Sequence, residues 1–334
     1  MRRNTLGRSG VPVTAVGFGS AALGNLFTPV TDEAAAQAVD AAWDAGIRFF
    51  DTAPHYGLGL SERRLGAALR DRPREQYTVS TKVGRLLEPA GDGGAAVGDD
   101  LANGFAVPAD HRRVWDFSAD GVRRSIEDSL RRLGLDRIDV VFLHDPDDHA
   151  EEAFGQGYPA LEKLRSEGVV DAIGAGMNQT GMLARFLRDT DVDVVLMAGR
   201  YTLLEQEGLA EVLPEAAVRG KSVVVGGVFN SGLLIDPRPD SRYEYAPVPA
   251  PVLARARRLQ SVTGRHGVPL RAAAQRFPAA HPAVASVLLG LRSPAEVRDA
   301  EAMHQHPLPA ALWDDLRAEG LLGAETPVPP GEAS

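Results

Sequence analysis

A carboxylate at Asp51, a phenol at Tyr56, an ammonium at Lys82 and an imidazole at His144 can together move a proton on and off an oxygen. A free phenol ionises near pH 10 and is a poor base at neutral pH. An ammonium beside it in a desolvated pocket favours the phenolate, at about 1.36 kcal/mol for each pKa unit of depression. Asp51 would orient that lysine, and His144 would hydrogen-bond the reacting oxygen or share the relay. None of the four can carry a hydride, so oxidation or reduction at the attached carbon implies a nicotinamide.

Each residue also has a plainer use. Asp51 can cap the turn after it, and Tyr56 can be a packing tyrosine in a loop containing Pro54 and Gly57. Lys82 resists that reading, because the 36 cationic residues include only Lys82, Lys163 and Lys221 as lysines. The run Leu143-His144-Asp145-Pro146-Asp147-Asp148-His149 has the makings of a metal loop. Its carboxylates are adjacent in a proline-broken turn and no second His/Asp pair closes another strand, so no metal is expected.

Short apolar runs, each followed by a helical pattern, must position these groups. The strand candidates are Val13–Gly17, Phe49–Asp51, Tyr77–Lys82, Ile138–His144, Ala172–Gly176, Val192–Met197, Ser222–Val225 and Ala285–Leu289. Helical patterns cover Asp32–Ala45, Ser61–Leu69, Ala119–Leu133, Pro159–Glu167, Thr180–Asp189, Leu209–Arg219, Val252–His266 and Leu270–Phe277. Runs such as Val140-Val141-Phe142-Leu143 are apolar on both faces, as strands of a covered parallel sheet are. This alternation predicts an α/β fold, a (β/α)₈ TIM barrel, as one domain over residues 1–334 with a flexible tail of about ten residues. The turn-rich stretches 84–117, 145–158 and 232–251 each follow a strand end and read as long loops over the C-terminal mouth. Chemistry in such barrels sits at the strand ends. That rule selects Asp51, Lys82, His144 and Asn178, with Tyr56 in the loop after the second strand.

Composition narrows the function. The chain has 334 residues, 44% hydrophobic and 24% charged, with no cysteine, which excludes disulfides and a thiol nucleophile and fits a cytoplasmic setting. A net charge of -9 argues against nucleic acid, and no apolar stretch is long enough for a membrane span. Nothing in the sequence specifies an oligomeric state. Gly17-Phe18-Gly19 with Gly24 departs in spacing from the Rossmann glycine fingerprint and is weak evidence for that fold.

Phe50-Asp51-Thr52-Ala53-Pro54-His55-Tyr56-Gly57 with Ser61-Glu62, then Val79-Ser80-Thr81-Lys82-Val83-Gly84, then Leu133-Gly134 through Leu143-His144, resemble the aldo-keto reductases in order and spacing. The resemblance runs from Leu6-Gly7 to Gly290 and the helix after it. It implies an N-terminal hairpin capping the barrel and assigns catalysis to Asp51, Tyr56, Lys82 and His144. It further implies nicotinamide contacts at Gly19, Ser20 and Asn178, and pyrophosphate contacts at Phe229, Ser231 and Leu233. Adenosine contacts would come from Gly290, Arg292 and Glu296.

The chain departs from the usual pattern at Met177, Ala198 and Gly226, where members commonly carry serine, glutamine and a stacking tyrosine. Ala198-Gly199-Arg200-Tyr201 and Phe229-Asn230-Ser231-Gly232 resemble the branch of L-fucose and D-threo-aldose dehydrogenases and pyridoxal 4-dehydrogenase. The expected activity is oxidation of a sugar at its anomeric carbon to a lactone, with His55 and Trp115 holding the substrate. The alternatives are pyridoxal oxidation, NADPH-dependent reduction of an aldehyde, and a non-catalytic nicotinamide-binding regulatory barrel. NAD is expected over NADP, because Glu296 stands where a 2′-phosphate would sit; Arg292 and a Ser293/Glu296 capping box compete with that reading.

Overall fold

The computed structural model describes residues 1–91, 98–244 and 246–332. A hairpin of β1 (Arg3–Thr5) and β2 (Pro12–Thr14) precedes β3 (Val16–Gly19), α1 (Asp32–Asp44), β4 (Phe49–Asp51), α2 (Leu60–Leu69) and β5 (Thr78–Val83). A second hairpin, β6 (Arg85–Pro89) and β7 (His111–Trp115), stands before α3 (Ala119–Leu133) and β8 (Val140–His144). There follow α4 (Ala150–Glu152), α5 (Tyr158–Ser166), β9 (Ala172–Met177), α6 (Thr180–Asp189), β10 (Val194–Ala198), α7 (Val212–Val218) and β11 (Ser222–Gly226). The small strands β12 (Arg242–Tyr243) and β13 (Ala246–Pro247) lead to α8 (Ala250–Arg265), α9 (Leu270–Arg276), β14 (Val284–Gly290), α10 (Pro294–Gln305) and α11 (Ala310–Ala318).

Strands β3, β4, β5, β8, β9, β10, β11 and β14 close into a parallel barrel, with β14 pairing back onto β3. Period-two alternation sorts the side chains. Phe49, Val140, Phe142, Val194, Leu196, Val224 and Leu288 fill the interior, and Leu6, Val11 and Val13 of the first hairpin plug its base. Val79, Val83, Val141 and Leu143 face outward into the helix layer. Full burial of each such side chain contributes about 1.5–3 kcal/mol. The same alternation turns Asp51, Lys82 and His144, at the strand ends, toward the axis of the mouth.

Three expectations change. The apolar run Val13–Gly17 is two strands: the chain bends at Ala15, giving Pro12–Thr14 to the hairpin and Val16–Gly19 to the barrel. Thr14 marks the corner, its Oγ1 donating to the Val16 carbonyl at 2.7 Å and accepting from the Arg48 and Phe49 amides. The stretch 84–117 is not open loop throughout, since Arg85 pairs with Trp115 and Pro89 with His111 in the second hairpin. The expected C-terminal tail is docked as far as residue 332. The Glu332 amide bonds the Leu308 carbonyl at 2.9 Å, and Arg276 grips its carboxylate at 2.5 Å.

Candidate active site

Adjacent strands bring the acid and the lysine together. Asp51 lies opposite Ser80 in the β4/β5 register, and Lys82, two residues further along β5, points the same way. Ser80 Oγ donates to Asp51 Oδ1 at 2.7 Å, while Lys82 Nζ donates to Asp51 Oδ2 at 2.8 Å and to the Thr52 carbonyl at 2.9 Å. Asp51 and Lys82 are 3% and 2% exposed, so this pair is shielded from solvent and from salt. A second layer fixes the strand ends. Ser61, at the start of α2, hydrogen-bonds Ser20, Thr52 and the Ser20 carbonyl, and Ser20 Oγ donates to the Asp51 carbonyl at 2.7 Å. Glu62, fully buried, accepts from Thr81 at 2.8 Å and from Arg132 of α3 at 2.6 Å.

The Tyr56 ring lies with its centroid 4.7 Å from Lys82 Nζ and 5.9 Å from the His144 ring, edge on. All four expected catalytic residues therefore meet at one floor. The electrostatics correct one expectation. Burial pushes the Tyr56 phenol up to about 12, and Lys82 offsets only part of that rise. Lys82 itself is raised despite its burial, because Asp51 and then Tyr56 favour the ammonium. Burial, with Arg85 and Lys82, drives the His144 imidazolium well below its usual range, so His144 is neutral and able both to donate and to accept.

Above the floor opens a cavity of about 600 Å³. His55, Tyr56, Lys82, Asn103, His144, Asp145, Asn178 and Arg242 are its polar lining residues, and Leu26, Phe27, Phe105, Met177 and Leu196 line its apolar wall. The His55 ring stands 5.6 Å from that of His144; its Nδ1 is buried without a partner among the described residues, and burial with Arg85 and Arg113 pushes the imidazole down to about 2. Trp115 is placed differently from expectation. It lies outside the cavity lining, 41% exposed, stacked on Phe117 at 5.8 Å and tilted against His149 at 4.5 Å. The β6/β7 pairing sets Trp115 opposite Arg85, whose guanidinium lies 4.5 Å over its ring.

The wall includes Phe27, Asn103, Phe105, Asp145 and Arg242, which the sequence reading did not assign to the site. The loops carrying Phe27, Asn103 and Phe105 are tied together: the Phe27 amide bonds the Gly104 carbonyl at 2.7 Å, the Ala106 amide bonds the Asn25 carbonyl at 3.0 Å, and Arg113 clamps Asp100 and the His55 carbonyl. Asn103-Gly104-Phe105, a turn with an aromatic inside a long strand-end loop, was the available signal.

The remaining predicted residues form a rim along β3, β9, β11 and β14. Gly19 ends β3, Gly290 ends β14 in an exposed position, and Asn178 follows β9 into the cavity. After β11, Asn230, Ser231 and Gly232 take positive φ values of 47°, 60° and 90°, a left-handed run whose backbone turns tightly beside Phe229 and buried Leu233. Asn230 Oδ1 is buried with no partner among the described residues. A tight backbone turn and a buried orphan acceptor suit a phosphate-and-ribose ligand. Gly226 also leaves room, since an added Cβ meets nothing closer than 3.7 Å. Ser293 caps α10 by accepting the Glu296 amide at 3.2 Å, and Glu296 in turn accepts the Arg292 amide at 2.8 Å. Arg292 also pairs with the Glu296 carboxylate at 3.4 Å and donates to Thr28 at 2.7 Å. Among the described residues no group of His, Asp and Glu is placed to hold a metal, and no helix is long and apolar enough to cross a membrane.

Comparison with known proteins agrees with this geometry. The model of the aldo/keto reductase family matches residues 15–318. The chain is 47% identical to a D-threo-aldose 1-dehydrogenase of Pseudomonas sp, covering 94% of this chain and 96% of the relative. It is 41% identical to a pyridoxal 4-dehydrogenase of Microbacterium luteolum, covering 96% and 98%. Among solved structures, an aldo-keto reductase from Bacillus halodurans in its holo form superposes with a TM-score of 0.76 at 26% identity over 98% of both chains.

Proposed function

The chain belongs to the aldo/keto reductase family, whose members use nicotinamide cofactors and act on small molecules, and from that premise we propose that it oxidises an aldose at the anomeric carbon to a lactone. The observation that carries the reading is the meeting of Asp51, Tyr56, Lys82 and His144 at the floor of a cavity large enough for a sugar. Tyr56 exchanges the hydroxyl proton of the substrate. Lys82 lowers the cost of the phenolate, Asp51 and the Thr52 carbonyl hold the ammonium in place, and neutral His144 hydrogen-bonds the same oxygen. His55, with its unpartnered Nδ1, offers a further hydrogen bond to the substrate, whereas Trp115 acts only through Arg85 and His149.

When bound, the nicotinamide supplies the hydride acceptor. Asn178, which lines the cavity, would hold its carboxamide, and the strand-end loop of Gly19 and Ser20 would border the ring. The backbone of Phe229, Ser231 and Leu233 would hold the pyrophosphate, and Gly290, Arg292 and Glu296 the adenosine end. NAD is the preferred form: Arg292 is committed to Glu296 and Thr28, and a 2′-phosphate would have to break that pair in the presence of the carboxylate. A cytoplasmic location suits the cysteine-free composition.

Pyridoxal oxidation is the second reading, favoured by the aromatic wall of Phe27 and Phe105 and by the relative named for that reaction. A regulatory barrel without turnover would not need the complete proton-transfer set. Assaying NAD and NADP reduction against a panel of aldoses, pyridoxal and simple alcohols tests the proposal. Aldoses with NAD should give the highest kcat/KM; activity confined to pyridoxal, or to aldehyde reduction with NADPH, transfers the assignment to those readings.

A further inference from the structure

Asp145 follows His144 directly and takes φ of 39°, a conformation uncommon for a non-glycine residue that persists only where its surroundings over-determine it. Here they do. The Asp145 amide bonds the Gly176 carbonyl of β9 at 2.9 Å, and Arg85 of β6 donates to Asp145 Oδ2 at 2.6 Å. Arg85 is itself largely buried, 13% exposed at its side chain, with its guanidinium 4.5 Å over the Trp115 ring. Asp145 lines the cavity with Tyr56 and His144, and the Arg85 clamp fixes its carboxylate at that edge. Oδ2 stands 3.5 Å from His144 Nε2, and Oδ1 makes no hydrogen bond among the described residues.

We propose that Asp145 is a substrate-recognition residue, accepting a hydrogen bond from the hydroxyl on the carbon next to the one oxidised. The inference rests on the aldose reading. His144 addresses the reacting oxygen, and a carboxylate one contact away from its Nε2 reaches an oxygen on the neighbouring carbon. A carboxylate only accepts hydrogen bonds, so it selects a hydroxyl and repels a carbonyl or a phosphate at that position. A polar site of this kind rejects an analogue lacking the hydroxyl, because its own group is then left unpaired. Arg85 is a positioning residue, holding Asp145 in its strained conformation without touching substrate. The substrate class that follows is a vicinal polyol with a free hydroxyl beside the anomeric centre.

The test measures kcat/KM for L-fucose and for 2-deoxy-L-fucose with the parent enzyme, D145N and D145G. Asn tolerates positive φ about as well as Asp, and Gly adopts it freely, so the two variants keep the backbone by different means. The parent should favour L-fucose, and each variant should lose roughly tenfold to a hundredfold on L-fucose with a much smaller loss on the deoxy sugar. Comparing variant-to-parent ratios cancels any intrinsic difference between the sugars. Equal losses on both sugars, or a parent without preference, would overturn this role while leaving aldose oxidation standing. A parent that oxidises neither sugar nor any other aldose overturns the aldose reading and this inference together.

Discussion

Tyr56 sits between opposing influences: burial pushes its phenol up to about 12, and the Lys82 ammonium 4.7 Å from its ring pulls the other way. Oxidation needs the phenolate, so kcat/KM in that direction should keep rising from neutral pH toward about pH 12 as the ionised fraction grows. Lys82→Met removes the favourable charge, which raises the phenol further and moves the rise to higher pH, with a rate loss of about a hundredfold or more at neutral pH. An unchanged pH profile in that variant would break the coupling. At this scale the meeting of Asp51, Tyr56, Lys82 and His144 was legible in the sequence, because each ends a strand or follows one and their types are chemically matched. The direction of the Tyr56 shift was not, because a list of neighbours contains no measure of burial. Trp115 was misplaced for a related reason: its alternating partner, Arg85, lies across a hairpin whose register is set by pairing rather than by local sequence.

At the scale of elements, α2 shows packing overruling propensity. Gly66 lies inside the helix, where alanine is ordinarily better by about 1 kcal/mol. A Cβ at Gly66 would lie 1.8 Å from the Leu133 carbonyl oxygen at the end of α3, and backbone cannot move aside as a side chain can. Gly66→Ala should therefore lower stability by about 2 kcal/mol or more in a denaturant titration, opposite in sign to propensity; a gain would mean that the α2/α3 contact is looser than described. Helix α10 carries a different test. Its Ser293/Glu296 cap and the Arg292/Glu296 pair make one charge-balanced unit. Glu296→Arg should shift the NADP-to-NAD ratio of kcat/KM toward NADP by about tenfold or more, a step of 1.4 kcal/mol; no shift would remove Glu296 from cofactor choice. Helix α3 was legible to its ends, because Ser118 caps its start and Gly134 closes it at φ 63°. The β2/β3 corner was not, since one apolar run serves two sheets.

Across the whole molecule, the barrel was legible because strands covered on both faces leave continuous apolar runs between helical patterns. The mouth was legible only in outline. Segments 98–107 and 242–243 converge on one cavity through contacts far apart in sequence, such as the Phe27 amide with the Gly104 carbonyl, which periodicity cannot register. On the proposed function, this mouth couples sugar oxidation to proton transfer through Tyr56. The most direct test mixes the protein with NAD and L-fucose, follows nicotinamide reduction, identifies the sugar product by mass spectrometry, and repeats both with Tyr56→Phe. One lactone should form per nicotinamide reduced, and the variant should bind NAD with near-parental affinity while losing about a thousandfold or more in turnover. A variant within a few-fold of the parent, or nicotinamide reduction without lactone, would contradict the account.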